Sequence, residues 1–177
     1  KSTLVRQLLG IETPTRGRVC FDDRDLRSLD TAGWRDFRRG VQMVFQDSIG
    51  AVNPRFPIGE IVSEPLRHLT DLSADARGAR VAELLRAVGI DSSEASKRPG
   101  QMSGGQLQRV CIARALATDP RLLVLDEAVS NLDIHLQGQI IDLIRGLRAR
   151  TRMAIVFITH DLRLVRLLCE RVIVMAD

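Results

Sequence analysis

Apolar positions change period repeatedly along this 177-residue chain, and each change predicts an element. Leu4, Val5, Leu8 and Leu9 recur at helical spacing, and Gly10 fits a helix stop. Thr13-Pro14-Thr15-Arg16-Gly17 predicts a turn, residues 18–21 a short strand with a polar loop after it, and residues 31–39 a helix. Residues 41–45 are strand-like and end in Gln46-Asp47; residues 48–57, rich in Gly, Asn and Pro, predict a loop. Helical signals then run over residues 58–69, over 73–88 and in a short piece from Asp91, until Arg98-Pro99-Gly100 breaks the chain. Further on, Leu136, Ile140, Leu143, Ile144 and Leu147 define one helix face. Residues 153–158 form a continuous apolar strand, 162–169 a helix, and 172–175 the start of another strand. The order is an alternating β/α pattern, interrupted in the middle by a block with no strand signal. We therefore expect an α/β core with a mostly parallel sheet and an inserted helical subdomain.

The stretch 102–133 organises the rest. Ser103 followed three residues later by Gln106 is a capping box, which predicts a helix start. Gly104 and Gly105 fall in its first turn, where glycine costs backbone entropy. They make sense if something approaches the backbone closely, and the free N–H groups at the positive end of the helix dipole make that an anion, most often phosphate. Leu122-Leu123-Val124-Leu125 then reads as a buried parallel strand, ending in the carboxylates Asp126-Glu127.

Composition narrows the class. The chain is 45% hydrophobic and 27% charged, enough to bury a core in one domain. No apolar run reaches the ~18 residues of a membrane span. Net charge is +4 with a pI of about 9.6, and only Lys1 and Lys97 of the 26 basic residues are not arginine. The arginines are scattered among acids, which predicts a mixed, solvated surface. Tyrosine is absent and aromatics make up 3%, which argues against a base-stacking surface for nucleic acid. Cys20, Cys111 and Cys169 lack metal or redox spacing and read as buried, reduced thiols. No internal repeat or low-complexity stretch is present.

Three predicted strands end in polar residues: Gln46, Asp126-Glu127 and His160. In an open parallel sheet, ligands sit beyond the carboxyl ends of the strands, so these side chains can gather round one ligand. At the other end of the chain, Lys1-Ser2 matches the close of the P-loop pattern G-x-x-x-x-G-K-[ST]. The set suits phosphoryl transfer to water. A lysine neutralises charge developing on phosphate, and a neighbouring hydroxyl can ligate Mg²⁺. Asp126 would hold the metal through water, leaving Glu127 to orient and deprotonate the attacking water. Strand residues alternate in direction, so the adjacent carboxylates can take different roles. Two phosphate-seeking helix starts, at Lys1 and Ser103, exceed what one nucleotide needs from one chain. Two chains facing head to tail would let each site use one of each.

The ordered set Lys1-Ser2-Thr3, Phe45-Gln46-Asp47, Ser103-Gly104-Gly105-Gln106, residues 122–127, Ser130-Asn131-Leu132-Asp133 and His160 resembles the Walker A end, Q-loop, signature, Walker B, D-loop and switch histidine of ABC transporter ATPases. The resemblance extends over the whole chain. Within the family, residues 44–47 followed by Asn53-Pro54-Arg55 resemble the nickel and oligopeptide uptake branch. Peptide importers more often carry Pro and Ala where this chain has Ala128 and Asn131, which favours the nickel side.

The resemblance implies a P-loop NTPase core, residues 1–47 and 103–177, and a helical subdomain with a Q-loop lid over residues 48–102. It implies ATP and Mg²⁺ as cofactors. Lys1 would contact the β- and γ-phosphates, Ser2 would ligate Mg²⁺ and Thr3 would touch the α-phosphate. Gln46 would sense metal and water and link to the membrane subunit. Ser103, Gly104, Gly105 and Gln106 would grip ATP held by the opposite subunit. Asp126 would support Mg²⁺, Glu127 would be the general base, His160 would hold the γ-phosphate, and Asp133 would communicate across the dimer. The P-loop glycines and the adenine-stacking aromatic would lie upstream of Lys1, so the chain is expected to be truncated at its N-terminus and to bind ATP poorly alone. The implied role is the ATP-hydrolysing motor of an importer, with nickel as cargo and di- or oligopeptides as the alternative. A soluble ABC-type ATPase acting on DNA or ribosomes fits less well, because no long coiled-coil insertion or tandem cassette is present. The implied partners are a second ATPase subunit, identical or not, transmembrane permease subunits and, indirectly, a substrate-binding protein, but no nucleic acid. The implied place is the cytoplasmic face of the bacterial inner membrane, peripherally bound. Direct nickel binding by His68, His135 or His160 is not expected, since their spacing is not ligand-like.

Overall fold

The computed structural model describes residues 2–129, 134–151 and 153–175. The sequence readings on Lys1 and on Ser130-Asn131-Leu132-Asp133 lie outside these residues. Helix α1 (Ser2–Leu8) is followed by an antiparallel ribbon of β1 (Cys20–Phe21) and β2 (Arg24–Asp25) and by α2 (Thr31–Gly40). Strand β3 (Val41–Val44) leads into α3 (Ile58–Leu69), α4 (Ala74–Ala87), two short 3₁₀ turns and α5 (Gly104–Leu116). Then come β4 (Leu122–Asp126), α6 (Ile134–Arg150), β5 (Ala154–Ile158) and α7 (Leu162–Leu168).

The order β3–β4–β5 forms a parallel sheet with β4 in the middle. Leu123, Val124 and Leu125 are fully buried, as expected of a strand covered on both faces. The register pairs Val44 with Leu125 and Leu125 with Phe157, so the three strands reach the same level together. The residues two or three positions beyond each, Gln46, Glu127 and His160, therefore leave the sheet along one edge.

Every described element between β3 and α5 is helical, as the missing strand signal predicts. Ile58, Ile61 and Leu66 of α3, Leu85 of α4 and Ile112 of α5 are buried in the same core as Val44, Leu123, Leu125 and Ile144. Each such side chain contributes roughly 1.5–3 kcal/mol through burial. Helix starts follow their local chemistry: Asp30 Oδ1 accepts from the Gly33 amide at 2.9 Å, and Ser73 Oγ from the Ala76 amide at 3.2 Å. Gly10 ends α1 with φ +66°, and a Cβ there would lie 2.8 Å from the Trp34 ring. A second, smaller core joins Leu26, Phe37 and Val41, with Trp34 and Phe21 meeting Phe37 edge to face.

Three expectations need correction. The strand over 18–21 is only Cys20–Phe21, and the polar loop after it is a two-residue hairpin turn with both Asp22 (φ 49°) and Asp23 (φ 61°) left-handed. Asp tolerates that conformation through its short polar side chain, which is what a tight hairpin requires. Residues 172–175 form no strand among the described residues; their side chains are exposed and no ladder partner stands beside them. Strand propensity acts through pairing and burial, and an unpaired apolar run has neither. Of the cysteines, Cys111 is buried, but Cys20 is exposed and Cys169 only partly covered.

Candidate active site at the strand carboxyl edge

The sheet edge brings together three of the residues that the sequence singles out. Gln46 Nε2 donates to Glu127 Oε2 at 2.9 Å, and His160 Nδ1 lies 3.2 Å from Glu127 Oε1. A carboxylate can only accept, so Nδ1 carries the proton in this contact and Nε2 faces away from Glu127. Both carboxylate oxygens of Glu127 are thus engaged, one by a residue after β3 and one by a residue after β5. Glu127 is three-quarters buried, whereas His160 is largely exposed, so the cluster opens to solvent on the histidine side.

Glu127 stands in the left-handed region, with φ 48°. Its amide still donates to the Ile158 carbonyl at 3.0 Å, extending the β4–β5 ladder one residue past the end of β4. Asp126 remains in the strand and pairs with Ile158. Plain strand alternation therefore stops at Asp126, because the chain reverses its φ at Glu127. A non-glycine residue held there costs energy and persists where its surroundings over-determine it.

Ser103 caps α5 as predicted. Its Oγ accepts from the Gln106 amide at 3.2 Å, and Gln106 Oε1 accepts from the Ser103 amide at 2.9 Å. Gly104 lies in the first turn, and a Cβ there would meet nothing within 4 Å. Among the described residues nothing fills the space beside it, which fits a close approach from outside. The capping box does not join the Gln46–Glu127–His160 cluster. Gln108 bonds the Ala128 carbonyl just past the end of β4, and Ser103 lies five residues earlier, roughly 7–8 Å along the helix axis at a rise of ~1.5 Å per residue. Thr3 is exposed in α1. Asp161 begins α7, where its side chain accepts from the Arg163 amide and guanidinium; these bonds hold its carboxyl down at about 2. Among the described residues no three His, Cys, Asp or Glu side chains cluster closely enough to cage a metal, and His68, His135 and His160 form no such set.

Sequence reasoning passed over Gln108 and Arg114, and read Cys111 only as a buried thiol. They lie on one face of α5 and donate to the carbonyls of Ala128, Ser48 and Ala51, in the loops after β4 and β3. The available signal was a polar residue, Gln108, at a core-facing position between Leu107 and Val110–Cys111.

Comparison with known proteins finds relatives in sequence and in fold. The profile of the family described as ABC transporter matches residues 1–130. The chain is 62% identical over 177 residues to a nickel import ATP-binding protein of Rhodospirillum rubrum, covering all of this chain and 64% of that protein. It is 54% identical over 175 residues to the protein of the same name in Escherichia coli, covering 99% of this chain and 65% of that one. The chain thus spans somewhat less than two thirds of the length of these relatives. Among solved structures, the ATP-binding cassette MJ0796, dimeric in a post-hydrolysis state with ADP and Pi, superposes with a TM-score of 0.84 at 31% identity, over 94% of this chain and 72% of that one. A cbiO1 protein from Clostridium perfringens, described as part of the transporter complex cbiONQ, gives a TM-score of 0.78 at 30% identity, over 96% of this chain and 66% of that one. The α/β fold, with helices around a parallel sheet, is that of these cassettes.

Proposed function

The chain belongs to the ABC transporter family, and from that premise we propose that it forms the ATP-hydrolysing part of an importer's motor subunit, with nickel as the cargo. The observation that carries the hydrolytic reading is the Gln46–Glu127–His160 cluster, in which both oxygens of one carboxylate are oriented by side chains from neighbouring strand ends. In this reading Glu127 takes the proton of the attacking water. Gln46 fixes the direction of the carboxylate and senses the γ-phosphate side of the site. His160, bonded through Nδ1, turns Nε2 outward as a γ-phosphate contact. Thr3 in α1, with Lys1 and Ser2 ahead of it, is assigned to the phosphates of the same nucleotide.

The donor set fits Mg²⁺ carried by the nucleotide. This ion prefers oxygen ligands and retained waters to an all-protein cage, and Ser2, Gln46 and Asp126 are the residues assigned to it. When bound, it neutralises charge on the phosphate oxygens.

Ser103, Gly104, Gly105 and Gln106 are assigned to a nucleotide on a second subunit. Two observations support this: the open space at Gly104 and the dimeric state named for the cassette MJ0796. Asp133 is assigned to communication across that dimer. Residues 48–102 act as the helical subdomain and lid, and residues 1–47 and 103–177 as the nucleotide-binding core. No helix among the described residues is long and apolar enough to cross a membrane. In this reading permease subunits supply the path, with the motor held peripherally at the inner membrane and a substrate-binding protein acting at a distance. Nickel as cargo rests on the names of the relatives at 62% and 54% identity.

Uptake of radioactive nickel by cells lacking the gene tests this reading. The intact gene should restore uptake and a Glu127→Gln copy should not. Restoration of peptide uptake without nickel uptake would move the assignment to the peptide branch.

A further inference from the structure

One buried face of α5 carries hydrogen-bond donors that the hydrolytic reading leaves unused. Gln108, Cys111 and Arg114 recur every three residues and so lie on one side of the helix. Gln108 Nε2 donates to the Ala128 carbonyl. Cys111 Sγ reaches the Ser48 carbonyl at 3.6 Å, and Arg114 Nη1 donates to the Ala51 carbonyl at 2.7 Å. A single helix therefore grips both the loop that follows Gln46 and the backbone that follows Glu127.

Gln108 is the member closest to the chemistry. It is 1% exposed, and a buried primary amide is costly unless it is bonded. The carbonyl it bonds belongs to the fully buried residue directly after Glu127. The backbone here is held at three successive points: the Glu127 amide by the Ile158 carbonyl, the Ala128 carbonyl by Gln108, and the Val129 carbonyl by Gln137 Nε2 at 2.9 Å. A left-handed glutamate needs such restraint.

We propose that Gln108 is a positioning residue for hydrolysis: its bond to the Ala128 carbonyl fixes the left-handed turn that presents the Glu127 carboxylate to Gln46 and His160. The proposal rests on the reading of Glu127 as the base. It also gives α5 two jobs on one rigid body. The tip, at Ser103, faces outward, while the side chain five residues on holds the base in place. Closure of a partner on the tip would thereby bear on the base through the helix itself.

The test is ATP turnover by the full-length protein carrying Gln108→Met, Glu127→Gln or both, with Ile144→Val as a core control. Met matches the length of Gln and removes the donor. Displacing a catalytic group by about 1 Å can cost ~100-fold, so Gln108→Met should lower kcat about 10- to 100-fold. KM for ATP should stay within about 3-fold, because no ground-state contact is lost. Ile144→Val, at a fully buried core position, should lower thermal stability with kcat retained. In single-turnover measurements the double variant should be no slower than Glu127→Gln alone, since Gln108 acts only through Glu127. A Gln108→Met kcat equal to that of Ile144→Val, or two losses that multiply in the double variant, would overturn the proposal. Near-normal turnover by Glu127→Gln would instead remove the base assignment, and the proposal with it. If Gln108→Met does not fold, Gln108→Asn, which holds its amide one methylene short, is read by the same kcat, KM and double-variant criteria.

Discussion

Replacing Ser103 with arginine should separate nucleotide binding from dimer closure. Inside the chain, Ser103 contributes one hydrogen bond through its side chain, from the Gln106 amide at 3.2 Å; the reciprocal bond uses the Ser103 backbone and survives substitution. Loss of an N-cap of this kind costs about 1 kcal/mol, or roughly 2–4 °C in Tm for a domain of this size. Ser103→Ala measures that cost alone. The effect across the interface is larger. A hydrogen bond to a charged group is worth about 1.5–3 kcal/mol, and a symmetric pair has two such sites, so losing both removes about 3–6 kcal/mol. That is roughly 10²- to 10⁴-fold in dimer affinity at ~1.4 kcal/mol per decade. Arginine also fills the space beyond the helix tip that the partner's phosphate would occupy. Only contacts that differ between open and closed states can drive closure, so the expected product is an open, ATP-loaded chain. The assay is ATP-dependent dimerisation by light scattering in the full-length Glu127→Gln background, with and without Ser103→Arg, alongside Ser103→Ala. The head-to-tail reading fails if Ser103→Arg dimerises as well as its parent. Circular dichroism confirms that each variant is folded before the comparison is made.

Two further outcomes follow from particular contacts. Gln46→Ala removes the 2.9 Å bond that directs one oxygen of Glu127; it should lower kcat about 10-fold or more with ATP affinity nearly unchanged, read from turnover and equilibrium nucleotide binding. The Asp161 carboxyl is depressed to about 2, first by its side-chain bond with Arg163 and then by the Arg163 amide. A depressed carboxyl stabilises the fold above its unfolded pKa of about 3.9 and loses that contribution as pH falls through the folded value. The Tm difference between wild type and Asp161→Asn should therefore be constant above pH ~4 and vanish towards pH ~2, as followed by thermal melts across that range.

Much of the site was legible because it depends on where parallel strands end. The apolar run 122–125 has few other readings, and once it pairs in register with β3 and β5, Gln46, Glu127 and His160 must emerge side by side. The α5 start was legible because its capping box is purely local. What escaped depends on tertiary context. The turn at Asp22-Asp23 uses left-handed aspartates without the glycine that usually marks such hairpins. The apolar residues 172–175 carry strand propensity but find no partner among the described residues. Gln108 shows in the sequence only as a polar residue at a core-facing position, and periodicity does not say which carbonyl such a donor meets. The pleat suggests an alternating pair at Asp126 and Glu127, but the φ reversal at Glu127 is something no local pattern announces.

The central claim is that Glu127 is the base of an ATP hydrolysis site, and one measurement bears on it most directly: steady-state phosphate release by full-length Glu127→Gln assembled with its membrane partners, alongside equilibrium ATP binding by the same protein. Glutamine preserves shape and keeps an oxygen to accept from Gln46, but it cannot take a proton from water. The account predicts release reduced at least ~100-fold with ATP affinity retained, the pattern of a group that acts in the transition state. Turnover close to that of the unaltered protein, with ATP bound equally well, would contradict it.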